Sequence, residues 1–180
     1  MRQNSYHGVL IEMTVRALWE TQNLMDCVPD AMWDEPFGGV PVWEYLYRML
    51  RELDQWFIDP EADDLVTPPF QLPPEQRALH PEGRPDRTAL NDYFYTIKAR
   101  LSLYLTSLHD EDLLQRPERC KWTRFTLMLN QYRHWHLHMG MVAGFVVATT
   151  GLCPRTLRPG EDFPTPPYDP YRQTRSGGPG

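Results

Sequence analysis

The chain is poor in lysine. Of its 18 basic residues only Lys98 and Lys121 are lysines, and the arginines are scattered with no block of basic charge. With a formal net charge of -6, this argues against a general nucleic-acid binder, which needs a clustered basic face. Cysteine is also scarce. Cys27, Cys120 and Cys153 are far apart, form no Cys-x-x-Cys pair and are odd in number. Neither a disulfide framework nor a cysteine zinc site is expected, and a reducing, cytoplasmic setting fits best. Met1 to Gly8 is polar and lacks the apolar stretch of a signal peptide. No apolar run approaches the roughly eighteen residues of a membrane span, and Met139 to Thr150 is too short, so no membrane partner is expected. Strand signals and internal repeats are missing as well.

What remains is helical periodicity punctuated by proline. A chain of 180 residues is read as one domain with a substantial core. Gly8 to Val28 carries an apolar stripe (Val9, Leu10, Met13, Ala17, Leu24, Val28) broken by the polar Thr21-Gln22-Asn23. Asp30 to Gly39 reads as a loop or one short turn. A second helix runs from Pro41 to about Ile58, with Val42, Leu46, Met49, Leu50, Leu53 and Phe57 on its buried face. Pro60 to Pro85 holds seven prolines and is a crossover along the body of the domain, tacked down by Phe70 and Leu72. Thr88 to Leu108 is a third helix, capped by Thr88 or Asp86, and an acidic turn follows at His109 to Leu113. The fourth helix, roughly Thr123 to Thr149, ends near Gly151. The expected fold is all-α: a four-helix bundle over residues 1–153, with a long Pro-rich crossover between helices 2 and 3. Residues 154–180 are expected to form an extended, partly disordered Pro/Gly-rich tail.

The fourth helix carries the chemistry. Tyr132-Arg133-His134-Trp135-His136-Leu137-His138-Met139-Gly140 holds three of the six histidines. Residues four apart lie about 40° from each other around a helix, so His134 and His138 share a face while His136 points away. A lone pair of histidines at this spacing is as often structural as metal-binding. The dispersed tryptophans read as packing residues, and the widely separated cysteines as inert thiols. His7, His80 and His109 read as solvated.

Three stretches together resemble the DinB/YfiT-like four-helix proteins, a bacterial family of metal-dependent enzymes. Arg133-His134-Trp135-His136-Leu137-His138-Met139-Gly140 resembles the family's Arg-His-x-x-x-His-x-Gly pattern. Pro41 to Asp54 is similar to the segment bearing its first metal ligand. Thr88 to Leu113, ending Leu-His-Asp-Glu-Asp-Leu, is similar to its third helix and acidic turn. The resemblance covers most of Gly8 to Gly151. It implies a zinc or nickel ion held by three histidines, two of them matching His134 and His138, and in some members activation of a low-molecular-weight thiol. It also implies a homodimer, for which aromatic positions such as Trp135 would serve.

One position departs from the pattern. The second-helix histidine falls on Arg48, whose guanidinium has no lone pair to give. Glu44 and Glu52 lie one turn either side on the same face. They are read as ion-pair partners of Arg48, with a substitute ligand as the alternative. Arg48 in the former ligand position would also suit a small carboxylate or phosphate. Two functions therefore stand: a metal- or thiol-dependent transferase or hydrolase with a degenerate site, or a non-enzymatic small-anion binder or dimeric interaction module that has lost its metal.

Overall fold

The computed structural model describes residues 5–70 and 84–172. The protein is mostly helical: α1 (Tyr6–Cys27), α2 (Val42–Phe57), α3 (Arg87–Ser107) and α4 (Arg124–Thr150). Each boundary has a local cause. Ser5 accepts a hydrogen bond from Gly8 N at 3.0 Å, Asp86 from Ala89 N at 2.7 Å and Thr123 from Thr126 N at 3.2 Å, so α1, α3 and α4 start with a side chain on an otherwise unpaired N–H. Of the two caps expected for α3, Asp86 is the one used. Gly151 closes α4 in the left-handed region at φ 72°, its N–H reaching Val147 O at 2.9 Å.

Among the described residues the close helix pairs are α2 with α4, α1 with α3, α2 with α3 and α1 with α4. They enclose one core. The expected stripe of α2 (Val42, Leu46, Met49, Leu50, Leu53, Phe57) is entirely buried, as are Leu90, Phe94, Ile97, Leu101 and Leu105 of α3. No helix among the described residues is long and apolar enough to cross a membrane.

Four expectations need correction. First, the loop after α1 contains a 3-10 turn at Asp30–Met32 and a two-stranded antiparallel ribbon, β1 (Pro36–Phe37) with β2 (Val40–Pro41). Two residues per strand are too few to leave a periodic signal. Second, α1 buries more polar surface than its stripe suggested. Val9 and Met13 are exposed, whereas Thr14, Arg16, Thr21 and Asn23 are buried. The polar break is a row of hydrogen-bonding positions. Third, Trp135 is fully buried and cannot present an aromatic surface to a second copy; its indole N–H donates to Thr21 Oγ at 3.0 Å. Fourth, His7 is tied to the end of α3, with Nε2 2.6 Å from Leu105 O and its backbone N–H on Asp110.

The crossover is fastened at both described ends. Asp54 accepts from Val66 N at 2.7 Å and Phe70 packs against the rings of Tyr47 and Tyr93, while at the far end Pro85 O accepts from the Trp33 indole N–H at 3.1 Å. Leu72 and His80 lie outside the described residues. As far as it is described, the segment after Gly151 forms no further helix, and residues 154–172 are packed onto α1. Asn23 Nδ2 donates to Arg155 O at 3.1 Å and Pro170 O at 2.9 Å, and Leu157 N donates to Glu20 at 2.7 Å. The rest of the tail, 173–180, lies outside the description.

Candidate metal centre

The facing surfaces of α2 and α4 bring Glu52, His134 and His138 together. The two histidines sit one turn apart on α4, and Glu52 projects from α2 beside its buried stripe. One potential ligand atom from each residue lies within 4.8 Å of the other two. His134 Nε2 forms a short hydrogen bond with Glu52 Oε2, His138 Nε2 lies 3.4 Å from the same oxygen, and the two Nε2 atoms are 3.0 Å apart. The cluster is neither core nor open surface. The side chains of His134, His138 and Glu52 are 43%, 15% and 38% exposed.

The electrostatics follow from this geometry. The adjacent His138 imidazole is the largest influence holding the Glu52 carboxyl below its ordinary value; partial burial opposes it and His134, hydrogen-bonded to the same oxygen, adds to it. His138 Nδ1 is buried with no hydrogen-bond partner among the described residues. Its ring is oriented by the Nε2 contacts on one edge and by packing on the other. The Tyr45 ring lies 6.2 Å away and itself packs at a tilt against Phe37 at 5.2 Å, which in turn meets Phe145 at 5.0 Å. The β1–β2 turn makes this possible. Gly38 has φ 58°, and a Cβ there would stand 2.7 Å from the Tyr45 hydroxyl.

Of the two carboxylates expected to pair with Arg48, only Glu44 does. Its Nε and Nη2 both donate to Glu44 Oε1, at 3.0 and 2.5 Å. Glu44 is buried, with Oε2 unpartnered. Glu44 is thus the ion-pair partner of Arg48, and Glu52 is not. The correction has a simple cause: Glu52 has imidazoles in front of it and Arg48 has a nearer carboxylate behind it. His136 is exposed, with Nδ1 2.8 Å from Tyr132 O, and takes no part in the cluster.

The donor set fits a divalent metal. Two imidazole nitrogens and one carboxylate oxygen converge, the complement found in catalytic zinc sites with an open position and in two-histidine, one-carboxylate iron sites. Around a tetrahedral metal with bonds of about 2.0–2.1 Å, donors stand ~3.3 Å apart. Separations of 3.0 and 3.4 Å, with one shorter, lie on either side of that value, so small side-chain adjustments would accommodate an ion.

No family model, curated protein or solved structure matches this chain.

The functional reading therefore rests on the site itself. Sequence reasoning singled out His134 and His138 from their spacing and kept Glu52, with Glu44, as an alternative ligand behind its reading as an ion-pair partner of Arg48. The available signal was position: Glu52 lies one turn beyond Arg48 on the same face of α2.

Proposed function

We propose that the protein is a metal-dependent enzyme of the DinB/YfiT-like four-helix-bundle kind, with Glu52, His134 and His138 as protein ligands. The observation that supports this reading best is the convergence of three ligand atoms within 4.8 Å on the seam between α2 and α4. Under this reading the site is complete, with a carboxylate replacing the third histidine and coming from the residue one turn further along.

Zinc, nickel or ferrous iron suits two imidazoles and a carboxylate. When bound, such an ion supplies Lewis acidity that lowers the pKa of a water or thiol in the open position. The protein's own groups do the rest. Glu52 offsets one unit of the ion's charge and, being held ionised, is ready to ligate without first losing a proton. His134, the more exposed imidazole, lies on the solvent side, and His138 on the Tyr45 side. The aromatic wall of Tyr45, Phe37 and Phe145 limits water on the second side and leaves the first for substrate. The reaction class is hydrolysis or group transfer, with a low-molecular-weight thiol as the co-substrate the resemblance suggests. The anion-binding alternative draws less support, because Arg48 is engaged by Glu44.

Cobalt(II) titration tests the site without knowledge of the substrate. The visible absorption of a low-symmetry, four- or five-coordinate ion is expected in wild type and lost in Glu52→Ala and in His134→Ala/His138→Ala. A spectrum unchanged by those substitutions would remove the proposal.

A further inference from the structure

A second cleft lies away from the α2–α4 seam, where the segment after α4 folds back on itself. Cys153–Arg155 runs antiparallel to Pro170–Arg172 around a bridge between Pro154 and Tyr171. Arg155 N donates to Pro170 O and Arg172 N to Cys153 O, both at 2.8 Å, so the two arginines leave a paired backbone. Arg158 leaves a turn closed by Glu161 N on Arg158 O at 3.0 Å, with Gly160 supplying φ 76°. That turn is anchored to α1: Arg16, itself only 7% exposed, donates Nη1 to Glu161 O at 2.7 Å and packs over Phe163. Between the paired backbone and the turn is an open cleft of about 770 Å³, lined by Arg155, Arg158, Glu161, Asp169, Tyr171 and Arg172 among others.

The charges in this cleft are not balanced pair by pair. Its two carboxylates already serve the backbone. Glu161 Oε2 accepts from Arg158 N at 3.0 Å, and Asp169 Oδ1 accepts from Tyr171 N at 3.0 Å. Glu161 Oε1 is 3.6 Å from Arg155 Nη2. Among the described residues no carboxylate lies within ion-pair distance of Arg158 or Arg172. The Glu161 carboxyl is held below its ordinary value, first by the Arg158 backbone N–H and then by the charges of Arg155 and Arg158. Exposed arginines on a surface are ordinarily just solvated. Here three share one concavity on a backbone fixed from both sides, so less conformational freedom is lost on binding.

We propose that this cleft binds a small phosphomonoester. Two guanidiniums without carboxylate partners match a dianion, and the planar fork of arginine meets phosphate oxygens in pairs. The volume falls in the range of small-molecule sites, about 300–1,000 Å³, and exceeds what a bare ion fills. Arg158 and Arg172 take the phosphate, Arg155 stays shared with Glu161, and the Tyr171 ring lies beside the organic portion.

Calorimetric titration of the full chain with glycerol 2-phosphate, at pH 8 and low salt, tests this. Chelator-treated protein and the His134→Ala/His138→Ala variant keep the seam between α2 and α4 from contributing. Saturable binding is expected in both, with acetate at equal concentration giving none. Arg158→Ala and Arg172→Ala should each weaken binding on the order of tenfold, the scale of one lost charge-assisted hydrogen bond. Arg158→Lys should fall between, and Glu161→Gln should tighten binding by removing a negative charge. Unchanged circular dichroism in each variant separates lost contacts from lost fold. Absence of binding in wild type, equal binding of acetate, or affinity indifferent to Arg158 and Arg172 would each overturn the assignment.

Discussion

The two flanks of α4 handle polar groups in opposite ways. Toward α1, the polar groups of Trp135 and Tyr132 are all taken up by α1 partners. Trp135 donates to Thr21, Thr21 donates to Ala17 O at 2.8 Å, and Thr14 and the Tyr132 hydroxyl meet each other and Leu10 O. Thr14, Thr21 and Trp135 are buried, Tyr132 is half-buried, and desolvation pushes the Tyr132 phenol up to about 12. Toward α2, three residues point their ligand atoms at one spot, stay part exposed and leave His138 Nδ1 without a partner. A closed network specifies packing. A convergent set with capacity to spare is what a ligand site requires. The contrast separates the structural polar residues of α4 from its chemical ones, although they are neighbours in sequence.

Substitutions should separate the flanks. The largest expected effect is on the α1 side. Trp135→Ala removes the largest fully buried side chain and should cost about 3–5 kcal/mol in denaturant unfolding, with metal affinity retained in whatever fraction stays folded. On the α2 side, His134→Ala/His138→Ala should change the stability of metal-free protein by less than about 1 kcal/mol, because the cluster is partly solvated. The same variant should lose the thermal shift that metal gives wild type. At a free metal concentration a hundredfold above the dissociation constant that shift corresponds to roughly 2.7 kcal/mol. Equal destabilisation by both substitutions would erase the distinction between the flanks.

Smaller effects sharpen the same contrast. Thr21→Val leaves the buried indole N–H without an acceptor and should cost about 1–3 kcal/mol. A pH series on metal-free protein reads the other flank. Because the folded Glu52 carboxyl lies below its ordinary value of 4.5, its contribution to stability is present above that value and lost as pH falls through the lowered one. Glu52→Gln should flatten that part of the acid limb, by a small amount because solvent screens the group. The smallest effect concerns the thiols. Burial pushes Cys27 up to about 11, so at pH 8 a thiol reagent should modify the exposed Cys153 first and reach Cys27 only on unfolding.

The helices were legible because apolar spacing and capping residues are local signals: Val42 through Phe57 on α2, Asp86 and Thr123 at helix starts, Gly151 at a helix end. Pairing across elements was not. Nothing in the sequence says that Asn23 holds the chain near Pro170, or that Thr21 accepts from Trp135. Both read as interruptions of a stripe until the partner is in place. Glu52 shows the same gap at the site. Its turn-spacing from Arg48 was visible, but whether it faced the guanidinium or the imidazoles depended on how α2 docks against α4 and on Glu44 engaging Arg48 first.

The most direct test is the metal content of protein purified without a histidine tag, compared with Glu52→Ala and His134→Ala/His138→Ala prepared identically. Stoichiometric zinc, nickel or iron in wild type, and none in either variant, is the predicted result. Wild type free of metal even after incubation with these ions, or metal retained when Glu52 is removed, would contradict a site built from Glu52, His134 and His138.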